Sequence, residues 1–534
     1  MIWSLPSNVR AGLRTLLLGL ALVSSPRSAD ASTPTFEESI SAWDLESAEA
    51  AVRATPRGPE RRAREGIVAI YRADYARAES LLTAALASAD FPADTAAHED
   101  ARHYLALARG SQRALGSAVL VRSDDHTVEA VFADPKDMLL APYLFGAMAA
   151  ARKVLGDELG VTPDEPIRFE FLDDPAKLAL VTPLSLDNIY ATGTIGITKY
   201  RRIVMVTPRV LLFGYPWLDT AVHEYVHYLI TLRTRNLAPV WLQEGLAKLL
   251  ESRWRSPSTP PLAPASRQLL RDALDHDDLV SLAEMSPSIA MLPSQERAAL
   301  AYAEVETMLS FLRESRGGDG LTQILDRVRD GESAEEAFAG AWGADFSEFM
   351  RMWAHHTKRM TATAKDERST FKARRFSDGR IDDVDASLFG DVFSHLGGGR
   401  ARQHARLGVL LTLRGQERAA ALQYEKARRV DPQARRDPKL ARRLGEIYLD
   451  LDDAARALPL LELAADADPE NASIAAAEGR ARLRVGDVDG ARIALARSLR
   501  VNPFIPAVHC DLARLAELAE ENAEAVRERA LCHE

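Results

Sequence analysis

The last quarter of the chain repeats itself, and that repetition constrains the fold more than any other feature. Gly408, Gly445 and Gly479 follow one another after 37 and 34 residues (445 − 408, 479 − 445), and Pro432, Pro469 and Pro503 recur at the same two intervals (469 − 432, 503 − 469). Two series in one register, in an Ala- and Arg-rich background that favours helix, predict helical hairpins of about 34 residues. One hairpin cannot bury its apolar face alone, so neighbours stack. At 534 residues the chain exceeds one compact core and divides into two to four domains.

The repeats occupy residues 401–534 and resemble tetratricopeptide units, with Pro closing each. Residues 36–115 are Ala-rich and carry apolar residues at helical spacing in Trp43–Val52 and Tyr75–Leu86. The region of Tyr71, Tyr75 and Ala78 resembles half of such a unit. From about residue 116 the pattern changes. Ala118–Val121, Val128–Phe132, Ile167–Phe171 and Arg202–Val206 read as strands, and Ala191–Thr198, with Gly193 and Gly196, as a turn or irregular strand. Leu139–Leu155 reads as a helix. Two strongly apolar helices follow, from Pro216 to about Leu232 and from Pro239 to about Trp254. Helical patterns continue from Ser266 to about Met360, and the polar, Gly-containing residues 361–400 read as a linker. The expectation is a mainly α chain with a small α/β unit at 116–360, flanked by helical repeats.

The first apolar helix contains His223-Glu224-Tyr225-Val226-His227. Four residues of helix turn through about 400°, so both imidazoles lie on one face, one turn apart, and can reach one metal ion. Glu224 lies about 100° round, where it approaches a water on the metal rather than the metal itself. Zinc suits two nitrogen ligands and an oxygen ligand with a position left for water. Such a short motif also arises by chance on ordinary helices. Against that, Trp217, Leu218, Val222, Val226, Leu229 and Ile230 make the helix apolar on most sides, where unpaired polar groups are costly. A third ligand, Glu244, follows His227 by 17 residues (244 − 227), room for a turn at Arg233–Ala238 and a return helix.

His223–His227 together with Trp241-Leu242-Gln243-Glu244-Gly245-Leu246-Ala247 resembles the gluzincin zinc metallopeptidases, in particular the peptidase MA-like branch. The resemblance implies a zincin-like fold for 116–360 and hydrolysis of a peptide or protein substrate. It implies one Zn2+ held by His223, His227 and Glu244, with Glu224 as general base. It also implies that Arg202–Val206 is the sheet edge along which substrate lies extended, and that Tyr302, in Ala301-Tyr302-Ala303-Glu304, stabilises the oxyanion; a core tyrosine is the equal alternative. Gly340–Trp353 resembles the segment that closes such domains. Asp219 and Glu251 are positioned to support the ligands, although a solvated helix surface is the commoner place for either. His355 and His356 are adjacent and point about 100° apart, which fits a surface pair.

Residues 1–31 read as a signal peptide: Arg10 and Arg14, an apolar run over Thr15–Val23, then Ala29-Asp30-Ala31 as a cleavage site. That run is half of what spans a bilayer, and no other stretch reads as a span, so the expected product is exported, periplasmic or secreted. Cys510 and Cys532 are the two cysteines; a disulfide and two free thiols are both open. A net charge of −10 gives no general attraction to nucleic acid, and Asp431, Asp437 and Glu446 among the arginines of 428–443 make that stretch a solvated surface. The principal reading is a zinc metallopeptidase whose repeats bind a protein partner. The alternative is a non-catalytic repeat scaffold with a vestigial metal site.

Overall fold

The computed structural model describes residues 34–361, 393–396 and 399–532. The expected signal peptide lies outside them, as does most of the expected linker. The described chain is mostly helical, with one small mixed sheet.

Five helices come first: α1 (Phe36–Ser41), α2 (Leu45–Ala54), α3 (Pro59–Tyr71), α4 (Tyr75–Leu86) and α5 (Ala96–Leu115). Strands β1 (Val119–Arg122) and β2 (Val128–Phe132) follow, then α6 (Ala141–Leu159), β3 (Ile167–Leu172), α7 (Pro175–Val181), α8 (Leu186–Thr192), β4 (Gly196–Lys199) and β5 (Arg202–Val206). The sheet order is β1-β2-β3-β5-β4. β2, β3 and β5 run parallel, and the two outer strands pair antiparallel. The outer strand next to β5 is therefore β4. This corrects the expectation that Arg202–Val206 is the edge: β5 is paired on both sides and all five of its residues are buried.

The β4–β5 hairpin turns on Tyr200 and Arg201, with φ of 55° and 58°. Two left-handed residues make the two-residue turn that matches strand twist, a conformation non-glycine residues adopt at a cost of roughly 1–2 kcal/mol each. Tertiary contacts offset it. Tyr200 packs against Tyr71 and Tyr104, with ring centroids 5.7 and 5.9 Å away, and Arg201 pairs with Glu165 at 3.2 Å. The N-terminal helices thus brace the sheet edge. They also share a buried charge cluster with the sheet: the Tyr75 hydroxyl donates to Glu170 at 2.5 Å, and Arg202 lies 3.2 Å from Glu170 and over the Tyr75 ring.

α9 (Trp217–Thr234) packs under the sheet and is antiparallel in sequence to α10 (Val240–Leu250), the chain turning at Arg235 and Asn236. Then come α11 (Pro264–His276), α12 (Gln295–Arg316), α13 (Asp319–Arg329), α14 (Ala334–Trp342) and α15 (Phe346–Thr361). The stretch Pro135–Leu159 is long and apolar enough by length and composition to cross a membrane, contrary to the sequence reading. Here it packs Leu144, Ala147, Met148, Ala151 and Leu155 into the core.

The repeats form stacked hairpins: α16 (Arg400–Thr412) with α17 (Glu417–Val430), the short α18 (Pro432–Arg435), α19 (Pro438–Asp450) with α20 (Ala454–Ala467), α21 (Ala472–Val485) with α22 (Val488–Val501), and α23 (Pro506–Leu518) with α24 (Asn522–Leu531). The recurring glycines are the points of closest approach. A Cβ on Gly408, Gly445 or Gly479 would meet Tyr424, Leu461 or Leu495 at 2.5, 2.8 or 2.7 Å. Each partner stands sixteen positions on (424 − 408, 461 − 445, 495 − 479). The same spacing joins Gly66 of α3 to Leu82 of α4 (82 − 66), with a contact of 2.6 Å, so the N-terminal region holds a whole hairpin of this kind rather than half. Cys510 and Cys532 are joined by a disulfide across α23 and α24.

Candidate metal centre

α9 starts at Trp217, after Pro216, and its inward faces are almost entirely buried. His223 and Glu224 are 8% and 6% exposed and His227 is half-buried, so polar side chains are carried inward by a helix whose other faces are core. α10 returns beside it. On its other side α10 packs closely against α12 at Gly245, where a Cβ would lie 2.9 Å from the Val305 carbonyl oxygen and 2.8 Å from Leu309. Glu244, its neighbour, faces the two histidines.

The three candidate ligand atoms form a nearly equilateral triangle. His223 Nε2 and His227 Nε2 are 3.2 Å apart, and Glu244 Oε2 is 3.3 Å from the first and 3.2 Å from the second. Ligands at zinc-like bond lengths in a tetrahedron stand about 3.3–3.5 Å apart, so the triangle has the right edge. Among the described residues these three are the one cluster of such groups able to hold a metal.

The electrostatics favour a cation at the centre. Glu251 Oε2 lies 3.0 Å from His223 Nδ1. A carboxylate only accepts, so Nδ1 carries the proton and Nε2 turns its lone pair to the triangle in the neutral imidazole. Burial opposes charge on His223, yet hydrogen bonds to Glu244 and Glu251 outweigh it and raise its pKa to about 9. Burial pushes the Glu244 carboxyl upward, but His227 and His223 hold it well below the usual range. Positive charge is drawn to this point, and a divalent cation on the same three atoms satisfies it without a proton.

Glu224 sits to one side, against the edge strand. Thr198 Oγ1 donates to Glu224 Oε2 at 2.8 Å, and a Cβ on Gly196 would approach Glu224 Oε1 to 3.0 Å. Burial raises the Glu224 pKa, with the neighbouring imidazoles opposing. The Tyr302 ring packs edge-on to His223 with centroids 6.2 Å apart, and both line a cleft of about 3760 Å³ bounded also by β4 and by the repeats.

The structure thus brings His223, Glu224, His227, Glu244 and Tyr302 together. Residues 148–359 match the Peptidase MA superfamily. All five residues lie within the matched segment, as does Glu251. None of the curated proteins is a significant match. Among solved structures the chain is similar to the APC/C hetero-tetramer Cut9–Hcn1 (14% identity over 93% of this chain and 92% of that one, TM-score 0.22). It is also similar to yeast Tom70 (11% identity over 92% and 81%, TM-score 0.21). TM-scores this low bear on neither fold nor function.

Two placements differ from the sequence reading. Glu251, expected at a solvated surface, supports His223; its position seven residues after Glu244, on the same helical face, was the available signal. Asp219 supports no ligand. It takes Trp254 Nε1 at 2.9 Å and Arg255 at 2.9 and 2.8 Å, fixing the first turn of α9. Thr198 was missed because it precedes a turn without Gly or Asn. His355 is exposed and His356 pairs with Glu314 at 3.8 Å, away from the cleft centre.

Proposed function

We propose that the chain is an exported zinc-dependent peptidase. The observation that carries this is the triangle of His223, His227 and Glu244 with the Glu224 carboxyl beside it. The Peptidase MA match over residues 148–359 supports a peptidase-like class. One Zn2+ would be held by His223, His227 and Glu244. When bound, it supplies a Lewis acid that polarises a carbonyl and acidifies water.

The chain's own groups do the rest. β4 offers the free edge of the sheet, where an extended peptide gains backbone hydrogen bonds. Glu224 takes a proton from the attacking water and returns it to the leaving nitrogen; its burial brings its basicity nearer to neutral pH. Tyr302 turns its hydroxyl to the oxygen that becomes negative. Glu251 keeps the His223 ring in one orientation. The stacked hairpins bind protein, and the cleft they help to wall admits a polypeptide segment. The disulfide between Cys510 and Cys532 fits an oxidising compartment, in line with export.

The test is hydrolysis of a peptide pool by the zinc-loaded chain and by Glu224→Gln. The variant should keep its zinc and lose about 100- to 10,000-fold in turnover. Equal turnover in both removes Glu224 as the base.

A further inference from the structure

Most charges that line the cleft beside the metal centre are already paired. Lys248 Nζ lies 2.5 Å from Glu251, and Glu251 holds His223. Asp219 holds Arg255 and, at 3.4 Å, Arg500. Glu306 is different. It stands one turn beyond Tyr302 on α12, lines the cleft and is partly buried. Among the described residues no hydrogen bond or ion pair reaches its carboxylate; Lys248, the cation that acts on it through space, is committed to Glu251. Glu470 of the repeats adds another negative charge, near enough to act on Lys248. The subsite therefore carries a surplus of negative charge and a carboxylate whose acceptors are unfilled.

A partly buried carboxylate without a partner is costly. Burial pushes the Glu306 pKa up to about 7, with Lys248 opposing. A donor cation arriving from the cleft would remove that cost. Four residues along a helix span about 6 Å, so a group bound at Glu306 belongs to a residue at or next to the scissile bond.

Building on the peptidase reading above, we propose that Glu306 is a specificity-determining residue that draws a cationic substrate group, a Lys or Arg side chain or a free α-amino group, to the cleft wall beside the metal centre.

The experiment uses the full chain loaded with zinc. Matched peptides carrying Lys or a neutral isostere beside the cut bond, with free or acetylated amino termini, are compared for native protein, Glu306→Gln and Glu306→Asp. Zinc content is measured for each protein. The native chain should favour the cationic peptides about tenfold, mainly through KM. Glu306→Gln, with zinc retained, should bring the ratio near one, and Glu306→Asp should keep part of it. Loss of the preference on acetylation assigns the α-amino group; its persistence assigns the side chain. The same ratio in native protein and Glu306→Gln overturns the proposal while leaving the peptidase reading intact. Cleavage of no peptide by the native chain overturns the peptidase reading itself and this inference with it.

Discussion

At the residue scale, the account rests on who faces whom around His223. Both nitrogens of that ring are engaged by carboxylates, Glu251 on Nδ1 and Glu244 on Nε2, so the ring is fixed before any cation arrives. Glu251→Gln keeps the side-chain shape but removes the charge that makes His223 a strong donor. It should weaken zinc binding about 10- to 100-fold, as read by competition with a chelator; affinity equal to that of the native chain would mean Glu251 is only a surface acid. The sequence exposes the candidate ligands far more readily than their support. His223 and His227 follow from helical spacing, and Glu244 from the length of one turn and the motif around it, whereas Glu251, named by position, is told from a solvated acid only once its hydrogen bond to His223 is seen.

At the element scale, strands β2 and β5 and helix α4 follow the sequence reading, because their apolar periodicity is unbroken. β4 does not. Its turn residues, Tyr200 and Arg201, carry no local signal; Tyr200 is held by Tyr71 and Tyr104, more than ninety positions earlier in the chain, and Arg201 by Glu165. Local sequence cannot disclose a turn that distant residues hold in place. Gly245 is another such element-level device. It brings α10 against α12 and so sets Glu244, Lys248 and Tyr302 around one cleft. Gly245→Ala introduces a methyl group that meets a carbonyl oxygen at 2.9 Å. It should cost about 1–3 kcal/mol of stability and weaken zinc binding, measured by thermal unfolding with and without zinc. A variant with unchanged melting and unchanged zinc affinity would show that the helices can separate freely.

At the scale of the whole molecule, the repeats are seated on the start of α9, the helix that carries His223 and His227. The Tyr215 amide donates to the Val501 carbonyl at 3.1 Å, and Trp217, fully buried, donates from Nε1 to the Leu499 carbonyl at 2.9 Å. Farther along, Tyr143 of α6 donates to Glu528 of α24 at 2.8 Å, and Glu528 also holds His509 at 2.7 Å. The repeat period, legible in sequence, announced the hairpins but not these contacts, which join surfaces hundreds of residues apart. Removing residues 400–534 would expose Trp217 and strip partners from two donors, about two turns from His223. Hydrolysis of even a short peptide should then fall at least tenfold. Full activity of the truncated chain on that peptide would make the repeats a recruiting module alone.

The central claim is the three-ligand centre, and elemental analysis of the purified chain beside its Glu244→Ala variant tests it most directly. The account predicts about one zinc per native chain and a clear loss in the variant. A native chain that holds no zinc after reconstitution, or a variant that holds as much as the native chain, would contradict it.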